Sequence, residues 1–205
     1  MDIQTLWSSV NEAEWEEADK RYDLFVKPEN RQLEDELEAK MPQVRELEDV
    51  QRLGDGKYTA PNRYATTSKR FREAYEKDRA ILHMRVQSLL AEPDKSDAEL
   101  MGFKAKRIEG LGYAGASGLL ALMYPELYGT IDQFVVLSLR QIRNLPEYGA
   151  LQKLKPANLG LQALVMLTDL YRRKSKDLNE LFHSSKWTPR KIDRVLWALR
   201  PSSEP

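Results

Sequence analysis

The stretch RIEGLGYAGASGLLALMYPELYGTID, residues 107–132, places glycines at 110, 112, 115 and 118 around one helix start and ends on a carboxylate, Asp132. Glycines at such a corner let a ligand approach the backbone closely and permit positive φ. The helix that follows offers unpaired N–H groups and the positive end of its dipole, a combination suited to a phosphate. An acid at the next helix start accepts backbone N–H bonds as an N-cap. GLGYAG also satisfies G-x-G-x-x-G, with Asp132 22 positions after Gly110, near where a dinucleotide fold places its ribose-binding acid. That fold needs a buried apolar strand immediately upstream, where this chain has Lys104, Lys106, Arg107 and Glu109. No further strand–helix units follow. A purely structural reading also accounts for the glycines: a tight turn at Gly110 and Gly112, then a small-residue face of Gly115, Ala116, Ser117 and Gly118 for close helix packing.

Other chemistry is sparse. The 205 residues contain no cysteine, so disulfides, thiolate nucleophiles and cysteine-ligated metals are excluded. The two histidines, His83 and His183, have no carboxylate spacing around them that resembles a metal site, and no Ser-His-Asp arrangement can be assembled. Neither a metal nor a cofactor is expected. Hydrophobic residues make up 41% and charged residues 31% of the chain. No apolar run approaches the roughly 18 residues of a membrane helix. The N-terminus is acidic where a signal peptide would be basic, so a cytoplasmic location is the expectation.

IEGLGYAGASGLLALM resembles the helix-hairpin-helix motif, and the continuation YPELYGTIDQFVVLSL is similar to the matching segment of the helix-hairpin-helix DNA glycosylase superfamily, with its hairpin, Gly/Pro-rich loop and Asp. The resemblance covers about residues 96–143. It implies that Gly110, Leu111, Gly112 and Tyr113 present the turn to a DNA phosphate, and that Asp132 assists departure of a flipped-out base by activating water or stabilising charge on the sugar. In lyase-type members a lysine follows the turn; here Ala114 stands there, 18 positions before Asp132. A Schiff-base route through that position is closed. The implied protein is therefore a DNA-binding, monofunctional N-glycosylase or, alternatively, a non-catalytic DNA-binding or protein-interaction module on the same fold. Lys104, Lys106 and Arg107 before the hairpin and Arg140 and Arg143 after it are the candidate phosphate contacts, with Arg172, Arg173, Lys174 and Lys176 as a separate basic cluster. Tyr113 is the aromatic expected to be exposed, and Trp197 and Phe71 are expected in the core.

The elements that must position these residues are helical. Ile3, Leu6, Trp7, Val10, Ala13 and Ala18 recur at helical intervals through the first 25 residues, and a charged helical stretch follows up to a loop near residue 60. A long amphipathic helix is predicted over 64–90. Ser96 and Glu99 form a capping box for a helix to about Arg107. Further helices are predicted over 133–143, over PANLGLQALVMLTDLYRRKS with a basic last turn, and after Thr188 and Pro189. No alternating strand pattern occurs. The fold expected is all-α, a multi-helix orthogonal bundle with a DNA-glycosylase-like helix-hairpin-helix at about 97–123. Residues 1–60 form an acidic helical N-terminal extension and residues 61–205 the helical domain. The zero net charge conceals an uneven split: residues 1–60 hold 16 acids and 8 bases, and the rest 24 bases and 16 acids. Such a split points to a basic face with an acidic partner, in another molecule or in this chain's own N-terminal helices, and a protein partner engaged through those acidic helices is the further expectation.

Overall fold

The computed structural model describes residues 1–26, 28–40, 96–107 and 112–201 with positions 73 and 77, and only the backbone at 29, 30, 33, 37, 40 and 103–107. All regular structure among the described residues is helical: α1 (Ile3–Trp7), α2 (Glu12–Phe25), α3 (Pro28–Lys40), α4 (Asp97–Arg107), α5 (Tyr113–Met123), α6 (Gln133–Leu139), α7 (Tyr148–Lys153), α8 (Leu161–Leu181) and α9 (Pro189–Ala198). The all-α expectation holds to that extent. The boundary near residue 60, the helix over 64–90 and Phe71 lie outside the described residues.

Capping chemistry sets most of the helix starts. Asp2 accepts from the Thr5 N–H and opens α1, and Asn11 accepts from the Ala13 N–H and opens α2. At α4 the box is reciprocal: the Ser96 N–H donates to Glu99 Oε2, and the Glu99 N–H donates to Ser96 Oγ. Thr188 caps α9, with Pro189 in its first turn. Each such cap contributes about 1 kcal/mol.

Where the expectations fail, a local hydrogen bond overrides the apolar period. The first 25 residues are two helices, because Asn11 caps a new start and its own N–H is taken by Ser9 Oγ. The break shifts the register, so Trp15 is fully buried while Val10 is 75% exposed and Ala13 faces solvent. Helix α6 stops at Leu139, four residues short of the expected end. Helix α8 runs on to Leu181, closed by His183 at φ 49° with the Ser184 N–H bonded to the Asn179 carbonyl. Arg172 to Lys176 therefore lie inside the helix and not in its last turn, so they do not complement its dipole.

The acidic N-terminal helices share the core of the rest. Ile3, Leu6 and Trp15 pack in one cluster with Met101, Leu120, Val136, Leu164 and Leu196. Trp15 lies edge-on to Trp187 and tilted against Trp7. The charged faces of α2 and α3 meet α9. Arg194 pairs with Asp19 at 3.2 Å and Asp23 at 3.3 Å, Lys186 pairs with Glu12 and Glu16, and Arg190 pairs with Glu34 and Glu38. Of the two partners the charge split allowed, the chain's own acidic helices are engaged in this way.

Two consequences can be measured. A methyl group at Gly129 would sit 2.6 Å from the Pro189 carbonyl oxygen and 2.8 Å from the Tyr171 ring, so Gly129→Ala is expected to lower the unfolding free energy in urea by about 1–3 kcal/mol. Lys174 is held between Trp7 and Trp15 and donates to the Trp7 carbonyl at 2.8 Å; burial lowers its pKa from 10.5 to about 8. Above that value the unfolded chain keeps a proton that the folded chain has shed, so this residue's contribution makes stability rise with pH. Comparing denaturation midpoints at pH 7.5 and about 9.5, before buried phenols titrate, should show that Lys174→Met loses this rise.

Candidate functional site

The segment joining α5 to α6 has no regular structure, yet almost every residue in it is tied down. The Tyr128 hydroxyl donates to Asp97, and Arg172 donates to both oxygens of that carboxylate and to the Leu127 carbonyl while lying 4.9 Å over the Tyr128 ring. Burial and the neighbouring carboxylate push the Tyr128 phenol well above its ordinary range. The Pro125 carbonyl accepts from the Arg190 N–H, the Thr130 carbonyl from the Tyr171 hydroxyl, and the Thr130 N–H donates to Asp193 at 2.6 Å. Ser117 on α5 accepts the Ile131 N–H at 3.0 Å. These bonds leave the following residue, Asp132, little freedom of position.

Asp132 begins α6 as its N-cap, with Oδ1 accepting from the Phe134 N–H at 2.8 Å and the Val135 N–H at 3.1 Å. It is half-buried. Among the described residues its carboxylate lies within electrostatic reach of Tyr171 and Arg200. The buried Tyr171 phenol is raised well above its ordinary pKa, first by burial and then by Asp193 and Asp132; Arg200 is lowered by burial and supported by Asp132. The Arg200 guanidinium lies 3.6 Å from the centroid of the Trp197 ring and close to Phe25 and Phe134. Trp197, expected in the core, is only partly buried: one of its neighbours is a cation, and Phe25 beside it is 54% exposed.

The hairpin residues divide. Gly110 and Leu111 lie outside the described residues, as do the side chains of Lys104, Lys106 and Arg107 on the last turns of α4. Gly112 is exposed at the start of α5, with open space where a Cβ would stand and no side-chain cap on the helix. Tyr113 is not freely exposed as expected; it is half-buried and packs against the core. Ala114 is exposed on the first turn of α5, and Ala116 and Leu120 are fully buried.

Several candidate phosphate contacts have other work. Arg140 donates to the carbonyls of Leu151, Gln152 and Leu154, closing the end of α7. Arg172 holds Asp97, Arg173 pairs with Glu147, Lys174 lies between tryptophans, and Lys176 pairs with Glu180. Arg143 is exposed and has no ion pair among the described residues. Nor do the described residues contain a group of three or more potential metal-ligating side chains.

Sequence reasoning missed the residues that position Asp132. Arg190 is 5% and Asp193 3% exposed; they pair at 2.9 Å, and Asp193 also holds the Thr130 amide. The only signal was the i,i+3 spacing of Arg190 and Asp193 in TPRKID, which usually marks a solvated helix pair. Ser117 gave no signal beyond its place in a small-residue run. No protein-family model, curated protein or solved structure matches the chain.

Asn caps a helix about as well as Asp, whereas Ala does not. Asp132→Ala should therefore cost about 1 kcal/mol in urea unfolding, and Asp132→Asn only a few tenths. Equal losses for the two substitutions would show that the charge, not the cap, holds α6.

Proposed function

We propose that the chain is a DNA-binding protein of the helix-hairpin-helix glycosylase type, in which Asp132 assists hydrolysis of the N-glycosidic bond of a flipped-out base. The observation that carries this reading is the fixed relation between two helix starts. Ser117, one turn into the glycine-led helix α5, bonds the backbone of the residue immediately before Asp132. An open, uncapped helix start at Gly112 and a carboxylate at the head of α6 are thereby held together as parts of one support.

In this mechanism the bare N–H groups at the α5 start take a DNA phosphate. Asp132 either orients water for attack at C1′ or balances the positive charge that develops on the sugar as the base departs. Its two capping bonds hold the carboxylate in place. Ala114 supplies no amine, so water is the nucleophile and no lyase step follows. Absence of the lyase lysine, and the intramolecular pairing of Arg172, Arg173 and Lys176, favour a second reading: a DNA-binding module on the same fold without base release.

The deciding assay is base release from duplexes carrying a panel of damaged and mismatched bases. Wild type should release at least one base, and Asp132→Asn, which keeps the cap, should lose about 10²–10⁴-fold in rate. No release by wild type from any lesion, with DNA binding that weakens steeply with salt, would establish the module reading instead. No salt-sensitive DNA binding at all would remove both.

A further inference from the structure

An open groove of about 730 Å³ lies beyond the C-terminal end of α6, bounded by α1, the 140–144 turn and α7. It lies at the opposite end of α6 from Asp132, and its volume is within the range of small-molecule sites, about 300–1,000 Å³.

Its walls are built before any ligand arrives. Arg140 donates to the Leu151, Gln152 and Leu154 carbonyls, and the Gln152 amide returns a bond to the Arg140 carbonyl at 3.0 Å, fixing α7 to the end of α6. The Arg143 N–H donates to Gln4 Oε1 at 2.6 Å, and the Gln4 amide donates to Asn144 at 3.3 Å, fixing α1 on the other side. The groove is cationic. Among the described residues Arg140 meets only neutral carbonyl acceptors, so its charge is solvated by dipoles and not neutralised. The guanidinium of Arg143 is exposed with no carboxylate partner among the described residues. Asp2, the one acid lining the groove, keeps its charge while both its oxygens accept from Thr5 within α1, so two guanidiniums stand against one carboxylate and the balance is positive. Glu147, next to the lining residue Tyr148, is paired with Arg173 on α8.

We infer that this groove binds a nucleotide, with its phosphate on Arg143 and its base against Tyr148. A guanidinium fork matches a phosphate in two parallel bonds. A half-buried tyrosine gives a planar base a surface to stack on, and the exposed carboxamide of Gln141 can meet a base edge. The same chemistry fits a free nucleoside monophosphate and one nucleotide of a single strand. It stands on the groove's own residues and does not depend on the role of Asp132.

The test is calorimetric titration of the full chain with inorganic phosphate, adenosine monophosphate and a single-stranded octanucleotide. The nucleotide should bind more tightly than phosphate. Arg143→Glu should weaken it by 10-fold or more and Tyr148→Ala several-fold. Arg143 is exposed, so its variant should retain the wild-type melting curve. Tighter binding of the octanucleotide, lost in Arg143→Glu, identifies a strand site; equal binding identifies a free-nucleotide site. The inference is overturned if wild type binds neither nucleotide form, if phosphate binds as tightly as the nucleotide, or if Arg143→Glu leaves affinity unchanged.

Discussion

A buried guanidinium must be surrounded by carboxylates, and much of this molecule is arranged to meet that requirement at Arg190. The side chain is 6% exposed and reaches Asp193, Glu34 and Glu38, with Tyr22 facing it across 5.8 Å. Removing one member of such a pair leaves an uncompensated charge in the interior, at a cost of about 3–5 kcal/mol. Three parts of the chain are therefore bound to one point. Helix α9 supplies Arg190 and Asp193, α3 supplies the two glutamates, and Asp193 reaches on to the Thr130 amide in the segment before Asp132. The Arg190 backbone N–H joins the same segment at Pro125.

This node gives the acidic N-terminal helices a structural role. Ile3, Leu6, Trp7, Trp15 and Ala18 of α1 and α2 join the common core, and the carboxylates of α2 and α3 neutralise Arg190, Arg194 and Lys186 along the C-terminal part of the chain. A chain of zero net charge with strongly opposed parts is thus partly the record of an internal interface. The cost of burial is visible at Asp19, whose pKa is raised by desolvation although Arg194 pulls it down. Tyr22, pressed among the arginines and bonded to Glu34, has its phenol raised far above its ordinary range, again chiefly by burial.

What could be read from the sequence was the chemistry that acts within a few residues. The Ser96–Glu99 box, the Thr188 cap with Pro189, the Asp132 cap and the inward face of Ala116 and Leu120 all follow from short-range bonds and helical period. The break at Asn11 had a readable signal, an Asn preceding acids at a helix start, but the apolar spacing of the first 25 residues masked it. The short helix α7 is fixed by Arg140 capping its carbonyls, a contact from another element that no local pattern announces. The partners of Arg190 and Arg194 on α2 and α3 stand more than 150 positions away, so composition gave the sign of the interface but not its members. At the candidate site, Asp132 was legible because it caps a helix, whereas Thr130, Asp193 and Tyr171 were not, because they meet only in the folded chain.

Bonds to α5, α8 and α9 hold the irregular segment before Asp132 as a helix is held by its own ladder. Amide hydrogen exchange at Thr130 and Ile131 tests it most directly, since their N–H groups bond Asp193 and Ser117 side chains and no helix protects them. Protection should be comparable to that of α6 and should fall at Thr130 when Asp193 is replaced by Asn, while the Leu120 amide stays protected. Exchange of both amides at the rate of an open loop in the wild-type protein would contradict it.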